Sequence, residues 1–284
     1  MAKTTHARVR EARGPRVLGL DIGSRSMELV ALADGAEVSR ARLPTTFDPA
    51  AQCRRLLADE LAAHEAGAGP ALLMATGYGR ELAGRLDLPW PVRQVTEITA
   101  HARGARFLVP EARAVLDIGG QDTKAIVLSE AGRAERFEMN DRCAAGTGKF
   151  LEYTAQAFQI PVEEFGAYAL KGSNPTPIGS MCTVFAETEA TSLMAQGKRP
   201  EDIALGLHLA IARRSAALLR RVSAATPVAF VGGVARNPCA RALLAAELGT
   251  EQGAGLLVPD EPDFCGALGA ALLAAEAVVK AAAE

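Results

Sequence analysis

Two short segments of the sequence combine a carboxylate with a glycine turn, a combination suited to binding phosphate. Asp21-Ile-Gly-Ser24 and Asp117-Ile-Gly-Gly120 each end an apolar run typical of a buried strand. Because glycine has no Cβ, its backbone N–H can approach an anion closely. The two aspartates suit hydrated Mg²⁺, which keeps several waters and takes few direct ligands. We therefore interpret the segments as two phosphate loops for the β- and γ-phosphates of a nucleotide.

A third glycine pair, Gly232-Gly233, follows the short β-rich run at residues 227–231. A glycine turn after a strand allows the flat approach of an adenine and a ribose. The sequence contains no GxxxxGK[ST] motif, so these turns are not a P-loop. Each turn alone is weak evidence. Three turns in this order, with an acidic helix start at Glu97 before Asp117, favour a nucleotide site.

The five cysteines, at positions 53, 143, 182, 239 and 265, form no CxxC pair, and their odd number argues against a disulfide scaffold. Cys143 and Cys182 each lie where an irregular stretch is predicted to end and a helix to begin. Unpaired N–H groups at a helix start stabilise a thiolate, which makes it a good cluster ligand. A [4Fe–4S] cluster takes four thiolates, so two chains would have to contribute two each. The alternative is that both are small buried residues, as free cysteines usually are, and we prefer that interpretation for the other three.

The segments around these two cysteines resemble the paired cluster motifs of the 2-hydroxyacyl-CoA dehydratase activators and the benzoyl-CoA reductase ATPase subunits. They read Asn140-Asp-Arg-Cys-Ala-Ala-Gly-Thr-Gly148 and Cys182-Thr-Val-Phe-Ala-Glu-Thr-Glu189. The resemblance spans about residues 17–275 and includes residues 75–80, 117–122, 232–237 and 266–271. This family belongs to the superfamily of actin, sugar kinases and heat-shock-chaperone ATPases. The sequence departs from the family at Ser26-Met-Glu28, where a small hydroxyl residue and a lysine are usual.

The resemblance also implies roles for individual residues. Asp21 and Asp117 would hold Mg²⁺, and either Glu97 or Gln121 would position the attacking water. The implied nucleotide contacts are Gly23, Ser24, Gly119, Gly120, Asp122, Gly146, Thr147, Gly148, Gly232, Gly233 and Asn237.

The function implied by the resemblance is ATP-dependent reductive activation. The chain would hydrolyse ATP to drive one low-potential electron to a partner iron–sulfur 2-hydroxyacyl-CoA dehydratase or a related CoA-thioester reductase, with ferredoxin or flavodoxin as the donor. The implied cofactors are ATP or ADP with Mg²⁺ and one [4Fe–4S] cluster per homodimer, held by Cys143 and Cys182. One alternative is an ATPase subunit of a benzoyl-CoA-type reductase, in which a paralogous chain supplies the other two thiolates. A more distant alternative is a small-molecule kinase of the same fold with buried cysteines.

The elements that must position these residues alternate between strands and helices, which predicts an α/β fold. Asp21 and Asp117 lie 96 residues apart, and a second apolar strand follows each turn, which predicts duplicated hairpins. The resemblance implies two ribonuclease-H-like domains of the actin-like ATPase type with a nucleotide cleft between them. We assign residues 16–110 and 263–284 to domain I, residues 111–262 with the cluster cysteines to domain II, and residues 1–15 to a basic tail predicted to be disordered. Helices are predicted over residues 49–66, 97–107, 150–158, 183–196, 200–222 and 267–283.

The composition is that of a globular chain of roughly two domains. The 284 residues include 31 Lys and Arg against 33 Asp and Glu, which gives a net charge of −2. We therefore expect no basic field that would attract nucleic acid or an acidic membrane surface. The sequence shows no run of about 18 apolar residues and no secretory signal, so we expect no membrane span and a cytoplasmic protein with reduced thiols.

Overall fold

The computed structural model describes residues 15–179, 182–250 and 254–284. Its contacts divide the chain into two units. Residues 15–110 and 263–284 form the first unit, called domain I, and residues 111–262 form the second, called domain II. Apart from residue 15, the basic tail that we assigned to residues 1–15 lies outside the described residues.

The described strands form two sheets, one in each domain. The strands of domain I are β1 (Arg16–Ile22), β2 (Ser26–Ala33), β3 (Ala36–Pro44), β4 (Leu72–Thr76) and β5 (Val92–Gln94). The strands of domain II are β6 (Ala114–Ile118), β7 (Thr123–Leu128), β8 (Ala134–Asn140), β9 (Val228–Val231) and β10 (Leu256–Leu257).

The helices are, in chain order, α1 (Pro49–Leu56), α2 (Ala58–Glu65), α3 (Arg80–Ala83), α4 (Glu97–Leu108), α5 (Gly148–Ala157), α6 (Val162–Ala169), α7 (Thr183–Ala195), α8 (Pro200–Arg221), α9 (Pro238–Glu247) and α10 (Cys265–Ala283). Helices α1 to α4 and α10 belong to domain I, and α5 to α9 belong to domain II. Short 3₁₀ helices cover Gly233–Arg236 and Pro262–Phe264.

The two sheets repeat one topology in detail. The strand order is β3-β2-β1-β4-β5 in domain I and β8-β7-β6-β9-β10 in domain II. In each sheet the first three strands of the domain are antiparallel, and the other two run parallel to the central strand. Both sheets also shift register at equivalent places, between Ala31 and Leu32 and between Val127 and Leu128. The predicted α/β class is confirmed, and the duplication extends to the irregularities of the strands.

Some element boundaries differ from the prediction. Residues 49–66, predicted as one helix, form α1 and α2 because the chain breaks at Leu57, whose φ of −90° and ψ of 4° are not helical. The side chain of Leu57 is fully buried, so tertiary packing at this residue accompanies the break. The sequence analysis also does not predict the edge strands β3 and β8. Most of their side chains are partly or fully exposed, which weakens the apolar alternation.

Strand β1 is buried on both faces, which makes it the centre of domain I. Leu18 and Leu20 pack in a cluster with Leu57 and Trp90 on one face. Val17 packs in a second cluster with apolar residues of α10 on the other face. A strand buried on both faces reads as a continuous apolar run, which explains why this segment was visible in the sequence.

Helix α10 packs so closely on α4 and β1 that backbone atoms of these elements are in contact. A Cβ at Gly269 would overlap the carbonyl oxygen of Ala100 and would lie 2.8 Å from the amide nitrogen of Gly104, both on α4. The segment Pro262–Ala283 is long and apolar enough to cross a membrane, judged by length and composition alone, but 56% of its apolar window is buried. Its burial is that of a core helix.

We expect that Gly269→Ala destabilises the protein by about 3 kcal/mol, because the added methyl group meets backbone atoms that cannot move aside. The gain of about 1 kcal/mol in helix propensity does not offset this overlap. Urea unfolding measures the difference in the free energy of unfolding. Gly84→Ala is the matched control: φ there is −71°, and the nearest atom to a new Cβ, at 3.2 Å, ends the Gln94 side chain. Equal urea midpoints for the two variants would contradict the packing argument.

Candidate functional site

The second phosphate loop connects β6 to β7 and is closed by its own backbone. The amide of Gly119 donates to the carbonyl oxygen of Asp122 at 3.0 Å. A buried lysine lies beneath it: Lys124 Nζ is 3.2 Å from Asp117 Oδ2 and 2.7 Å from Asp122 Oδ2. The sequence analysis did not single out Lys124. Its position directly opposite Asp117 in the β6–β7 register is the signal that could have found it.

The third glycine turn lies against the same aspartate. Gly232 has a φ of +83°, and a Cβ there would overlap Asp117 Oδ1 and lie 2.6 Å from the carbonyl oxygen of Ile118. Glycine is therefore required at this position by both conformation and space. Gly233 is exposed, with no atom close to the place where a Cβ would stand. The structure thus brings Asp117, Asp122 and the Gly232-Gly233 turn together within domain II.

Asn237 ends this turn and caps α9. Its Oδ1 accepts a hydrogen bond from the amide of Ala240 at 2.9 Å. Its Nδ2 lies 3.1 Å from Nε2 of His208, whose Nδ1 lies 2.8 Å from the carbonyl oxygen of Ala204. The backbone carbonyl requires a proton on Nδ1, so Nε2 accepts from the Asn237 amide. Burial lowers the pKa of His208 to about 4, which keeps the ring neutral. The neutral ring fixes the orientation of the Asn237 amide.

The start of α5 supports the second phosphate loop. The amide of Gly148 donates to the carbonyl oxygen of Gly119 at 2.9 Å. The amide of Lys149 donates to the carbonyl oxygen of Gly120 at 2.8 Å. Thr147 is fully buried, and its hydroxyl donates to the carbonyl oxygen of Ala144. The Gly148 amide and the Thr147 hydroxyl therefore bind protein groups, and the nucleotide contacts of these two residues stay a prediction.

The first phosphate loop, in domain I, repeats this construction. The amide of Gly23, next to Ser24, donates to the carbonyl oxygen of Ser26 at 3.0 Å. Gly77, which has a φ of +91°, lies against Asp21 as Gly232 lies against Asp117, with its Cβ position 2.7 Å from the carbonyl carbon of Ile22. Gly77 lies within residues 75–80 of the family resemblance, but the sequence analysis missed its equivalence to Gly232.

The candidate water-positioning residues lie in different domains. Glu97 begins α4, one turn before His101, whose Cε1 is 3.0 Å from the Cβ position of Gly266. The same Cβ position would overlap Asp21 Oδ2, so the starts of α4 and α10 both lie near Asp21. Gln121 is exposed in the second phosphate loop of domain II.

The two loops differ in charge at equivalent strand positions. Glu28 pairs with Asp21 in the β1–β2 register, as Lys124 pairs with Asp117 in the β6–β7 register. Burial, followed by the charges of Asp21 and Asp263, raises the pKa of Glu28 well above its usual value. Its Oε1 has no hydrogen-bond partner among the described residues. The departure at Ser26-Met-Glu28 noted in the sequence therefore places a carboxyl group where the second phosphate loop has an ammonium group.

The five cysteines divide into two exposed and three buried thiols. Cys143 and Cys182 are exposed, both in domain II, whereas Cys53, Cys239 and Cys265 are buried. Burial raises the pKa of Cys53 to about 11 and that of Cys239 to about 12, so these thiols stay protonated. Within the described residues, no group of three or more potential metal ligands comes together.

The surroundings of the two exposed cysteines are not equivalent. Cys182 is the N-cap of α7, as predicted, and its carbonyl oxygen accepts a hydrogen bond from the amide of Ala186 at 2.8 Å. Cys143 instead precedes a turn, and α5 begins only at Gly148. The helix predicted over residues 150–158 begins at Gly148, and Gly146, with a φ of +91°, lies between Cys143 and this start. Cys143 is therefore not at the helix start, contrary to the prediction.

The chain segment that leads to Cys182 is hydrogen-bonded to α7, the helix that Cys182 caps. Oε1 of Glu189, on α7, accepts a hydrogen bond from the amide of Gly179 at 2.8 Å. Ser180 and Met181, which directly precede Cys182, lie outside the described residues. Two large apolar side chains, Val184 and Phe185, are exposed in the first turn of α7.

We expect domain II to lose stability as His208 is forced to take a proton. The unfolded ring titrates near 6.5 and the folded ring at about 4, so between these values the unfolded state binds the extra proton. Stability therefore falls as the pH falls through this window, by about 2 kcal/mol between pH 7 and pH 5. Urea unfolding at both pH values measures it. His208→Gln, whose amide oxygen can accept from Asn237 but does not titrate, should lack this component; an unchanged pH dependence would refute the assignment.

Comparisons with known proteins agree on one family. The (R)-2-hydroxyglutaryl-CoA dehydratase activating ATPase of Acidaminococcus fermentans is 37% identical over 270 residues, which cover 93% of this chain and 98% of that protein. One of the subunits of the benzoyl-CoA reductase of Thauera aromatica is 38% identical over 200 residues, which cover 69% of this chain and 68% of that protein.

A solved structure agrees in fold as well as in sequence. It is that of the activator of the 2-hydroxyisocaproyl-CoA dehydratase from Clostridium difficile with bound ADPNP. It superposes with a TM-score of 0.81 at 37% identity and covers 94% of this chain and 96% of that one. The predicted actin-like ATPase fold is thereby confirmed. The sequence matches the family model over residues 18–274, and the chain belongs to the BadF/BadG/BcrA/BcrD ATPase family.

Proposed function

We propose that this chain is an ATP-dependent reductive activator of an iron–sulfur 2-hydroxyacyl-CoA dehydratase or of a related CoA-thioester reductase. ATP hydrolysis drives the transfer of one low-potential electron, received from reduced ferredoxin or flavodoxin, to that partner. The observation that carries the proposal is the placement of the exposed cysteines. Cys143 and Cys182 lie in the domain that holds the second phosphate loop, and the chain that follows Cys143 is hydrogen-bonded to that loop.

The proposed ATPase chemistry uses the two phosphate loops. Asp21 and Asp117 would hold hydrated Mg²⁺, with Lys124 fixing the Asp117 carboxylate. Water attacks the γ-phosphorus, the bond to the β-phosphate oxygen breaks, and ADP and phosphate leave. Glu97 or Gln121 orients the water. Most of the stabilisation is electrostatic, since preorganised amides and the metal meet the charge that develops on the phosphate oxygens.

The chemistry of the exposed thiols fits one [4Fe–4S] cluster shared by two chains. Each chain offers two exposed thiols, and such a cluster takes four. Helix α7, whose N-cap is Cys182, has no acidic residue in its first turn, so the positive end of this helix is not offset locally. When bound, the cluster supplies a one-electron carrier whose potential depends on solvent exposure and on hydrogen bonds to its sulfurs. We therefore infer a homodimer.

The exposed first turn of α7 supports this assembly. Val184 and Phe185 are large apolar side chains directly after Cys182, and both are more than half exposed. Aromatic residues are enriched in protein interfaces, where they become buried. In the proposed dimer these side chains lie in the contact between copies. Reduced thiols of this kind are maintained in the cytoplasm, where we place the protein.

Cys143→Ser and Cys182→Ser should each lose the cluster while the variant still binds nucleotide. A serine oxygen does not replace a thiolate as a ligand, and neither change touches a phosphate loop. Iron and sulfide analysis after anaerobic reconstitution, with nucleotide binding measured in parallel, checks this. Cys265→Ala is the matched control because that thiol is buried, and it should retain the cluster.

Retention of a full cluster by either serine variant would overturn the ligand assignment. Wild-type chain that is monomeric and free of iron after reconstitution, but gains both with a paralogous chain, would favour the benzoyl-CoA-type heterocomplex. Phosphorylation of a small metabolite by iron-free protein would favour the kinase alternative.

Asp21→Asn should lower ATP turnover by about 10²-fold, since a neutral amide holds hydrated Mg²⁺ poorly and the transition-state charge is less well compensated. The cluster spectrum should be unchanged because Asp21 lies in domain I. Phosphate release and the anaerobic visible spectrum measure the two properties. Asp87→Asn, at an exposed residue away from the loops, is the control. Wild-type turnover in Asp21→Asn would remove that residue from the catalytic set.

A further inference from the structure

The turn at residues 143–148, called the cysteine turn, is held by side chains and not by regular secondary structure. Asn140 Nδ2 donates to the carbonyl oxygens of Cys143 at 2.9 Å and of Ala145 at 3.0 Å. The hydroxyl of Thr123 donates to the carbonyl oxygen of Gly146 at 2.9 Å. An amide nitrogen has two hydrogens, so Asn140 uses its full donor capacity on this turn.

The remaining carbonyl of this stretch is also occupied. The oxygen of Ala144 accepts from both the amide and the hydroxyl of Thr147, at 3.0 Å and 2.7 Å. Every carbonyl from Cys143 to Gly146 therefore accepts a hydrogen bond, and three side chains supply most of the donors. The backbone geometry that presents the exposed Cys143 thiol is consequently set by Thr123, Asn140 and Thr147.

Two of these side chains connect the turn to the second phosphate loop. Thr123 directly follows Asp122 and begins β7, and it pairs with Asn140 at the end of the β7–β8 ladder. At the other end of the turn, the amides of Gly148 and Lys149 bind carbonyl oxygens of the same loop. The second phosphate loop is therefore connected to the cysteine turn at two places, through Thr123 and through the start of α5.

We propose that Thr123 and Asn140 are positioning residues for Cys143 that couple the orientation of its thiol to the nucleotide bound at the second phosphate loop. This inference rests on the proposed function, because it requires that nucleotide binds at that loop. The coupling lies within domain II. The Thr123–Gly146 hydrogen bond is buried, so loss of the hydroxyl leaves a carbonyl that water cannot easily satisfy.

The test measures the Cys143 thiol directly, in protein without the cluster. Alkylation of each cysteine by iodoacetamide is followed by mass spectrometry, with ADP and with a non-hydrolysable ATP analogue. In the wild type we expect the Cys143 rate to differ by about fivefold between the two nucleotides, the lower end of common coupling strengths. The comparison isolates the nucleotide's effect, since the same thiol is measured in both samples.

The decisive variants are Thr123→Val, which keeps the branched shape but removes the hydroxyl, and Thr123→Ser, which keeps the hydroxyl. The nucleotide ratio is the ratio of the two Cys143 alkylation rates, one measured with ADP and the other with the ATP analogue. We expect this ratio to fall to about one in Thr123→Val and to keep its wild-type value in Thr123→Ser. Asn140→Asp, which turns oxygens toward two carbonyl oxygens, should also remove the ratio. Thr154→Val is the matched control, because the buried Thr154 hydroxyl donates only within α5.

The outcomes separate this inference from the proposed function. A wild-type ratio in Thr123→Val, or loss of the ratio in Thr123→Ser or Thr154→Val, would overturn the positioning role. So would a wild type that binds nucleotide and cluster but shows no ratio, and the proposed function would then survive. Failure of the wild type to bind nucleotide would instead refute the proposed function. In reconstituted protein, a shifted cluster midpoint potential in Thr123→Val but not in Thr123→Ser would support the inference independently.

Discussion

In each domain a glycine with a positive φ lies against the aspartate one residue before the end of the central strand. Gly77 takes this place beside Asp21, and Gly232 takes it beside Asp117. A side chain at either glycine would overlap the carboxylate, so the parallel strand that follows the hairpin can end close to it only because this residue has no Cβ. The position of the aspartate, the turn of each phosphate loop and the path of the chain after the parallel strand all depend on this approach.

The duplicated scaffold holds two electrostatically different loops. In domain II the ammonium of Lys124 lies between Asp117 and Asp122, so the charge of the two carboxylates is partly neutralised. In domain I the equivalent position holds Glu28, whose buried carboxyl adds no positive charge beside Asp21. Two loops with the same backbone therefore offer an anion and a cation different environments. The shared topology sets the position of each phosphate loop. The residue on the second strand of the hairpin, Glu28 on β2 or Lys124 on β7, sets the charge beside it.

Much of the scaffold could be predicted because its strands are buried on both faces. The runs that form β1 and β6 are mostly apolar, and their Asp-x-Gly ends repeat, so the α/β class and the hairpins could be predicted from local pattern. The edge strands β3 and β8 escaped prediction because exposure removes that pattern. The contact between Lys124 and its two aspartates depends on strand register, and the bond from Asn140 to the cysteine turn depends on a loop path. Neither contact can be predicted from the residue types in a short stretch of sequence.

The cysteines illustrate the same limit. Helix-start patterns predicted Cys182 directly before its helix, but the turn before α5 could not be foreseen because it is built from side-chain hydrogen bonds. The exposure of Cys143 and Cys182, against the burial of the other three, depends on the packing of the whole domain.

The hydrogen bonds of the cysteine turn have a consequence for the life cycle of the protein. Small zinc domains fold only when metal arrives, because their ligands have no other order. Here the carbonyls from Cys143 to Gly146 are satisfied by protein groups alone. Under the proposed function, this turn would therefore hold its backbone geometry before a cluster is inserted and after a cluster is lost. Restoring such a cluster would then require iron and sulfide but no refolding of this turn.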